Sequence, residues 1–213
     1  MIRLTIDGKV VKADSGVTIL EAARQAGVDI PTLCYCEKIE LPVSCFICVV
    51  KVNGQEKFVP SCATPAQDGM IVDCSSDEVR GCRKRSIELL MSAHSGSCYD
   101  CGKKDKCQLR EFAIKYKANR LRYAVNSNSI NPSARKVYDD SGLVHEPGKC
   151  ILCGKCVNIT KAKNITPGLA FNGRGSDVFV DAPFGCPVDK AMGEALEECV
   201  EACPTGALWR MKK

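Results

Sequence analysis

Residues 31–62 read PTLCYCEKIELPVSCFICVVKVNGQEKFVPSC. The second half of this stretch, FICVVKVNGQEKFVPSC, predicts a hairpin turning at Asn53-Gly54, because Asn-Gly supplies the two positive φ angles that a tight hairpin turn needs. Upstream, RLTIDGKVVKA alternates on either side of Asp7-Gly8, a second turn signal of the same kind. Between the hairpins, TILEAARQAG has helical character; Asp14 or Ser15 can cap its start and Gly27 can end it. Hairpin, helix and hairpin in that order suit a small β-grasp sheet packed on one helix. That unit is expected to occupy residues 1–76.

Downstream the periodicity changes from two to 3.6. Residues 77–93, DEVRGCRKRSIELLMSA, predict a helix, with Val79, Cys82, Ile87, Leu90 and Met91 available for its buried face. Asp77 and Glu78 lie at its start, where the helix dipole favours acids. A second helix is expected over 107–121, which makes 77–123 a small helical domain. Residues 124–149, rich in Asn, Ser, Asp and Pro, read as a linker or extended excursion. They lead into a third unit, so that 124–213 is linker plus C-terminal domain. The fold class is α+β.

The chain has 213 residues, 45% of them apolar but only 6% aromatic, and sixteen are cysteine. Few aromatics spread over several small modules suggest that metals or disulfides supplement the cores. The first residues, MIRLTIDGKVV, lack the apolar core and cleavage site of a signal peptide, and no apolar run approaches the ~18 residues of a membrane span. A cytoplasmic, reducing location without membrane insertion is therefore expected, and there cysteine arrays are more often metal ligands than disulfides. The formal charge of +5 counts thiols as neutral and is a weak guide to partners. The basic runs at 83–85 and 103–106 read as solvated faces; few aromatics accompany them, which argues against nucleic acid.

Three arrays emerge. Cys34, Cys45, Cys48 and Cys62 form C-x10-C-x2-C-x13-C, with Cys36 competing for the first position. Four thiolates on such a loop can hold a [2Fe–2S] cluster, as the shorter C-x4-C-x2-C spacing does in plant-type ferredoxins, and tetrahedral zinc would accept the same set. Cys98, Cys101 and Cys107 supply three thiolates in HSGSCYDCGKKDKC, residues 94–107. His94 precedes Cys98 by one helical turn and can complete the set; otherwise it caps its helix. Cys150, Cys153 and Cys156 form C-x2-C-x2-C, and Cys203 is followed by Pro204. In two-cluster bacterial ferredoxins C-x2-C-x2-C-x3-C-P occurs twice and each fourth Cys serves the other cluster. Here the first copy has Thr160 in its fourth place, and the second retains only Cys199 and Cys203. One complete set survives, Cys150, Cys153, Cys156 and Cys203, with Cys186 as rival for the fourth place. The C-terminal unit is thus a degenerate bacterial-ferredoxin-like domain.

Cys36, Cys74, Cys82, Cys186 and Cys199 are left over and read as structural, and His145 as a surface residue. Catalytic signatures are missing. FNGRGSDVF has Gly173 and Gly175 without the third glycine of a dinucleotide fingerprint, and there is no P-loop or G-x-S-x-G. Glu197 and Glu198 fall on a helix surface with nothing to mark them as acid or base. A conduit without a substrate site of its own fits better than a catalyst. Two other classes stay open: a zinc-stabilised interaction protein and a thiol-based redox enzyme.

PTLCY, the C-x2-C before a VxVNG hairpin, CATPAQDGM, H-x3-C-x2-C-x5-C, CILCGKC and ACPTGAL occur in one order. In that order they resemble the N-terminal iron–sulfur region of the large peripheral-arm subunit of respiratory complex I. The chain is also similar to the small diaphorase-type iron–sulfur subunit of NAD-reducing [NiFe] hydrogenases and to its counterpart in electron-bifurcating hydrogenases. The resemblance implies a [2Fe–2S] cluster on Cys34, Cys45, Cys48 and Cys62, and a [4Fe–4S] cluster on His94, Cys98, Cys101 and Cys107. It implies a second [4Fe–4S] cluster on Cys150, Cys153, Cys156 and Cys203, and so iron rather than zinc. It also implies a hetero-oligomer. A flavin- and NAD(P)-binding diaphorase subunit would stand at one side, and a hydrogenase small subunit or another terminal redox subunit at the other. An NAD-dependent formate dehydrogenase or a complex I-like module is the alternative setting. The chain ends before the further domains of the longer relatives, which points to the short diaphorase-type subunit with the terminal reaction on another polypeptide. Cys36 and Phe46 depart from common family residues.

Overall fold

The computed structural model describes residues 1–37, 43–123, 136–138 and 140–211. The N-terminal sheet is built from β1 (Ile2–Ile6), β2 (Lys9–Ala13), β3 (Val49–Val52), β4 (Phe58–Pro60) and β5 (Ile71–Asp73), in the order β2-β1-β5-β3-β4. β1 and β5 are parallel at its centre, and the two hairpins flank them. Both expected turns form, with positive φ at Asp7 and Gly8 and at Asn53 and Gly54.

Helix α1 (Ile19–Gln25) lies on one face and buries Ile19, Leu20, Ala22 and Ala23. Its cap is Thr18 rather than Asp14 or Ser15. Glu21 N donates to Thr18 Oγ1 at 3.2 Å while Thr18 N donates to Glu21 Oε2 at 2.8 Å, a reciprocal capping box. Leu4, Ile6, Val11, Ile30, Val50 and Val72 close the core beneath it.

Helix α2 (Asp77–Ser92) forms where expected, but its fully buried residues are Val79, Arg83, Ile87 and Glu88. Cys82, Leu90 and Met91 are only half-buried. The inward charges have partners: Arg83 donates to the Val49 carbonyl at 2.9 Å, and Glu88 Oε1 accepts from Asn119 N at 3.0 Å. A buried charged group persists only when satisfied in this way, and periodicity counts apolar residues alone. The second helix, α3 (Gln108–Lys115), is shorter than expected. Tyr116 caps it and Lys117 turns to φ 49°.

Residues 124–135 and 139, half of the expected excursion, lie outside the described residues. The rest of it contains secondary structure: β6 (Lys136–Tyr138) and β7 (Leu143–His145) pair antiparallel, and β10 (Leu208–Arg210) covers the other side of β7. Leu143, Val144 and His145 are all buried. Residues 143–145 are therefore a central strand, and the reading of His145 as a surface residue is incorrect. Around this sheet stand α4 (Lys155–Ala162), the hairpin β8 (Ala170–Asn172) and β9 (Phe179–Asp181), α5 (Val188–Met192) and α6 (Leu196–Ala202). Their shared core includes Leu143, Ile159, Met192 and Leu208.

A further core joins the three regions. Leu33, Cys34, Cys45 and Ile47 from the first, Ile87 and Leu109 from the helices, and Ile151 and Cys153 from the last pack together.

Candidate metal centres

All sixteen cysteines are free thiols. In the N-terminal region they converge in two pairs: Cys34 Sγ lies 3.3 Å from Cys45 Sγ, and Cys48 Sγ 3.3 Å from Cys62 Sγ. A disulfide would need about 2.05 Å. Two thiolates on one tetrahedral metal, with bonds of about 2.3 Å, stand about 3.8 Å apart. The pairs are too far apart for a disulfide and lie about 0.5 Å inside the spacing of two thiolates on one metal, two by two. Each pair shares a proton, which lowers one thiol towards thiolate, Cys34 to about 5 and Cys48 to about 7, and raises its mate. Cys36 is half-buried and outside both pairs. Phe46, between Cys45 and Cys48, has φ 52°, a left-handed conformation that lets the chain wrap around the thiols.

The second set forms after α2. His94 is buried, 8% exposed, and its Nδ1 has no hydrogen-bond partner. Burial, with the cations of Arg120 and Lys149, pushes its pKa down to about 4, so the ring is a neutral donor at pH 7. The helix runs to Ser92 with Ala93 as its C-cap, and His94 follows directly. Burial raises the Cys107 thiol, and Cys101 and Cys98 lie close enough to raise it further. Cys101 is buried against Gly206: a Cβ on that glycine would stand 2.4 Å from Cys101 Sγ. An orphaned buried nitrogen four residues before Cys98, with Cys98 and Cys101 close to Cys107, suits a metal-bound group.

The third set surrounds an apolar pocket lined by Cys150, Cys153, Cys156 and Cys203 together with His145 and Leu208. Burial raises the first three thiols, Cys150 to about 12 and Cys153 to about 11. Loading a metal must displace those protons. Leu152 and Gly154 take left-handed backbone angles, and Leu152 N donates to Cys150 Sγ at 3.4 Å. Cys199 is fully buried behind the set, its thiol aimed at the Cys156 carbonyl, 3.7 Å away. Cys186 is half-buried, does not line the pocket, and points to the Pro187 carbonyl. Cys74 hydrogen-bonds Asp7 with thiol and amide, each at 2.8 Å, a structural role.

The first set adjoins the third, and the third adjoins the second; Cys107 of the second also packs against the core that holds Cys34 and Cys45. Cys34 and Cys45 share a core with Ile151 and Cys153, while Pro204, next to Cys203, accepts from Gln108 N at 3.0 Å, next to Cys107. Lys103, expected on a solvated face, instead donates to the Val200 and Cys203 carbonyls, each at 2.7 Å. The other basic run likewise sends Arg83 inward.

Residues 1–77 match the 2Fe-2S iron-sulfur cluster binding domain. A solved structure of an NAD+-reducing [NiFe]-hydrogenase contains a chain that superposes with a TM-score of 0.85 at 30% identity, over 98% of this chain and 87% of that one. The chain belongs to the iron–sulfur electron-transfer subunits of hydrogenases and complex I-type oxidoreductases. As a member of that family, it has an N-terminal domain of the [2Fe–2S] type. Among curated proteins, this subunit is 32% identical to NADP-reducing hydrogenase subunit HndD of Solidesulfovibrio fructosivorans, over 98% of its length and 36% of the relative's. It is 29% identical to the mitochondrial NADH-ubiquinone oxidoreductase 78 kDa subunit of Candida albicans, over 97% of its length and 28% of the relative's. It therefore spans about a third of the curated relatives it matches. Among the described residues of the subunit, no helix is long and apolar enough to cross a membrane.

Sequence reasoning missed three residues around these sites. His145 lines the third pocket, and Glu146 and Lys149 form an ion pair near His94. The signal available was the strand-like LVHE at 143–146, three residues before the CILC motif.

Proposed function

We propose that the subunit carries three iron–sulfur clusters in a relay between a flavin- and NAD(P)-binding partner and a second redox enzyme, with a [NiFe] hydrogenase first among the candidates. The ligand sets are Cys34, Cys45, Cys48 and Cys62 for a [2Fe–2S] cluster, and His94, Cys98, Cys101 and Cys107 for a [4Fe–4S] cluster. Cys150, Cys153, Cys156 and Cys203 form the set for a second [4Fe–4S] cluster. When bound, such clusters supply one-electron carriers, which can link two-electron hydride chemistry to one-electron acceptors.

The chain's own residues provide ligation, burial and spacing. The paired thiols of the first set suit two irons, each taking two protein sulfurs. The neutral His94 ring replaces one thiolate, and one fewer negative ligand raises the potential of its centre. Amide donors such as Leu152 N offset the charge of the thiolates in the dry third pocket. The adjacency of the third set to both of the others supports a path in which the third centre stands between the other two. The likeness to the hydrogenase chain over nearly its whole length is the observation that carries the reading. The three units are taken as 1–76, 77–123 and 124–213, in a cytoplasmic hetero-oligomer.

Anaerobic affinity purification of the full chain tests this. Co-purification with a flavoprotein and a second redox enzyme, with cluster absorbance bleached by NADH or NADPH, is the expected result. A chain that purifies alone with zinc in its thiolate sites would return the zinc-stabilised reading.

A further inference from the structure

Lys149 and Glu146 form an ion pair in which the lysine is buried and the carboxylate half-buried, their side chains 8% and 15% exposed. Lys149 Nζ lies 2.8 Å from Glu146 Oε2, and Trp209 Nε1 donates to Glu146 Oε1 at 2.9 Å. A buried ion pair adds little stability over apolar side chains of the same volume, so packing alone does not explain it.

Its placement is asymmetric. The Lys149 backbone belongs to the third site: its amide donates to the Glu146 carbonyl at 2.9 Å, its carbonyl accepts from Thr205 Oγ1 at 2.8 Å, and Cys150 follows. The side chain runs the other way, to the second site. A Cβ on Gly206 would lie 2.4 Å from Cys101 Sγ and 3.3 Å from Lys149 Cδ, so thiol and lysine stem flank one glycine. On its other side the stem passes Gly96, two residues after His94, with Cε 3.5 Å from that glycine's Cβ position. Arg120 also faces this site, donating to the His94 and Gly96 carbonyls.

We infer, resting on the reading that His94, Cys98, Cys101 and Cys107 hold a cluster, that the Glu146–Lys149 pair sets the potential of that second centre. Gain of one electron makes the centre one unit more negative, with no bond made or broken in the protein. A fixed cation beside Cys101 favours that change, and the carboxylate behind it opposes it. The third region thereby tunes the neighbouring centre through a residue anchored in its own frame.

The test is a potentiometric EPR titration of the anaerobically purified full chain, wild type and three variants. Lys149→Met is expected to lower the second centre's reduction equilibrium about tenfold, 59 mV for a one-electron couple. Glu146→Gln is expected to raise it by a similar factor, and Lys149→Arg to leave it near wild type. The first centre's midpoint should hold in all four proteins. Opposite signs for Met and Gln are the signature that loss of packing cannot produce. A wild-type second-centre signal whose midpoint stays fixed, or moves the same way in both variants, overturns the inference alone. Absence of that signal from wild type defeats the cluster reading and the inference together. If Lys149→Met fails to assemble, Glu146→Gln decides: a rise supports, and no change or a fall overturns.

Discussion

The first and second sites are built on opposite plans. The thiols of the first come from one stretch: α1, one loop and one hairpin bring four of them into two close pairs within the first 62 residues, and only Cys34 and Cys45 also pack against Ile87, Ile151 and Cys153 of the other regions. The second is shared. Its ligand candidates come from residues 94–107, yet what surrounds them comes from Lys149, Pro204, Gly206 and Trp209, about fifty to a hundred residues later in the chain. A local site can be read and assembled locally, whereas a shared site depends on the docking of another region.

The largest break in this comparison is expected from fragments. Residues 1–76, whose core is closed by α1 and the sheet, should fold and bind a [2Fe–2S] cluster, seen by visible circular dichroism. Residues 77–123 alone should bind none, because the surface that closes their site is missing. Loading of the second fragment would show that site to be self-contained as well. Next, His94→Ala should remove or transform one [4Fe–4S] EPR signal and leave the other two centres. Three unaltered signals would return His94 to a cap.

A smaller effect is expected at the seam. Gly206→Ala places a methyl against Cys101 Sγ, and overpacking of this kind costs about 1–3 kcal/mol. The second centre's iron should become easier to extract by chelator, with first-centre absorbance unchanged. The smallest effect belongs to the first region. Thr18→Ala removes the capping-box hydroxyl and should lower stability by about 1 kcal/mol in denaturant melts of the 1–76 fragment, without shifting any EPR signal.

The same division explains what could be read from the sequence. Asp7-Gly8 and Asn53-Gly54 demand left-handed angles that few other pairs supply, so both hairpins were legible. Cysteine spacing suggested three sets because, in a reducing setting, clustered cysteines are more often metal ligands than disulfides. Polar residues that bury themselves by long-range pairing were not legible. Arg83 and Glu88 break the apolar stripe of α2 because their partners, Val49 and Asn119, lie on other elements. His145 and Val144 look exposed in a polar stretch, and only pairing with β6 and β10 makes them interior. Lys103 reads as a solvent-facing charge until the carbonyls of Val200 and Cys203 are brought to it.

The most direct test of a three-cluster relay is iron, acid-labile sulfide and zinc analysis of the full chain purified without oxygen. About ten irons and about ten sulfides per chain, from one [2Fe–2S] and two [4Fe–4S] clusters, are the predicted result. About three zincs with neither iron nor sulfide would contradict it.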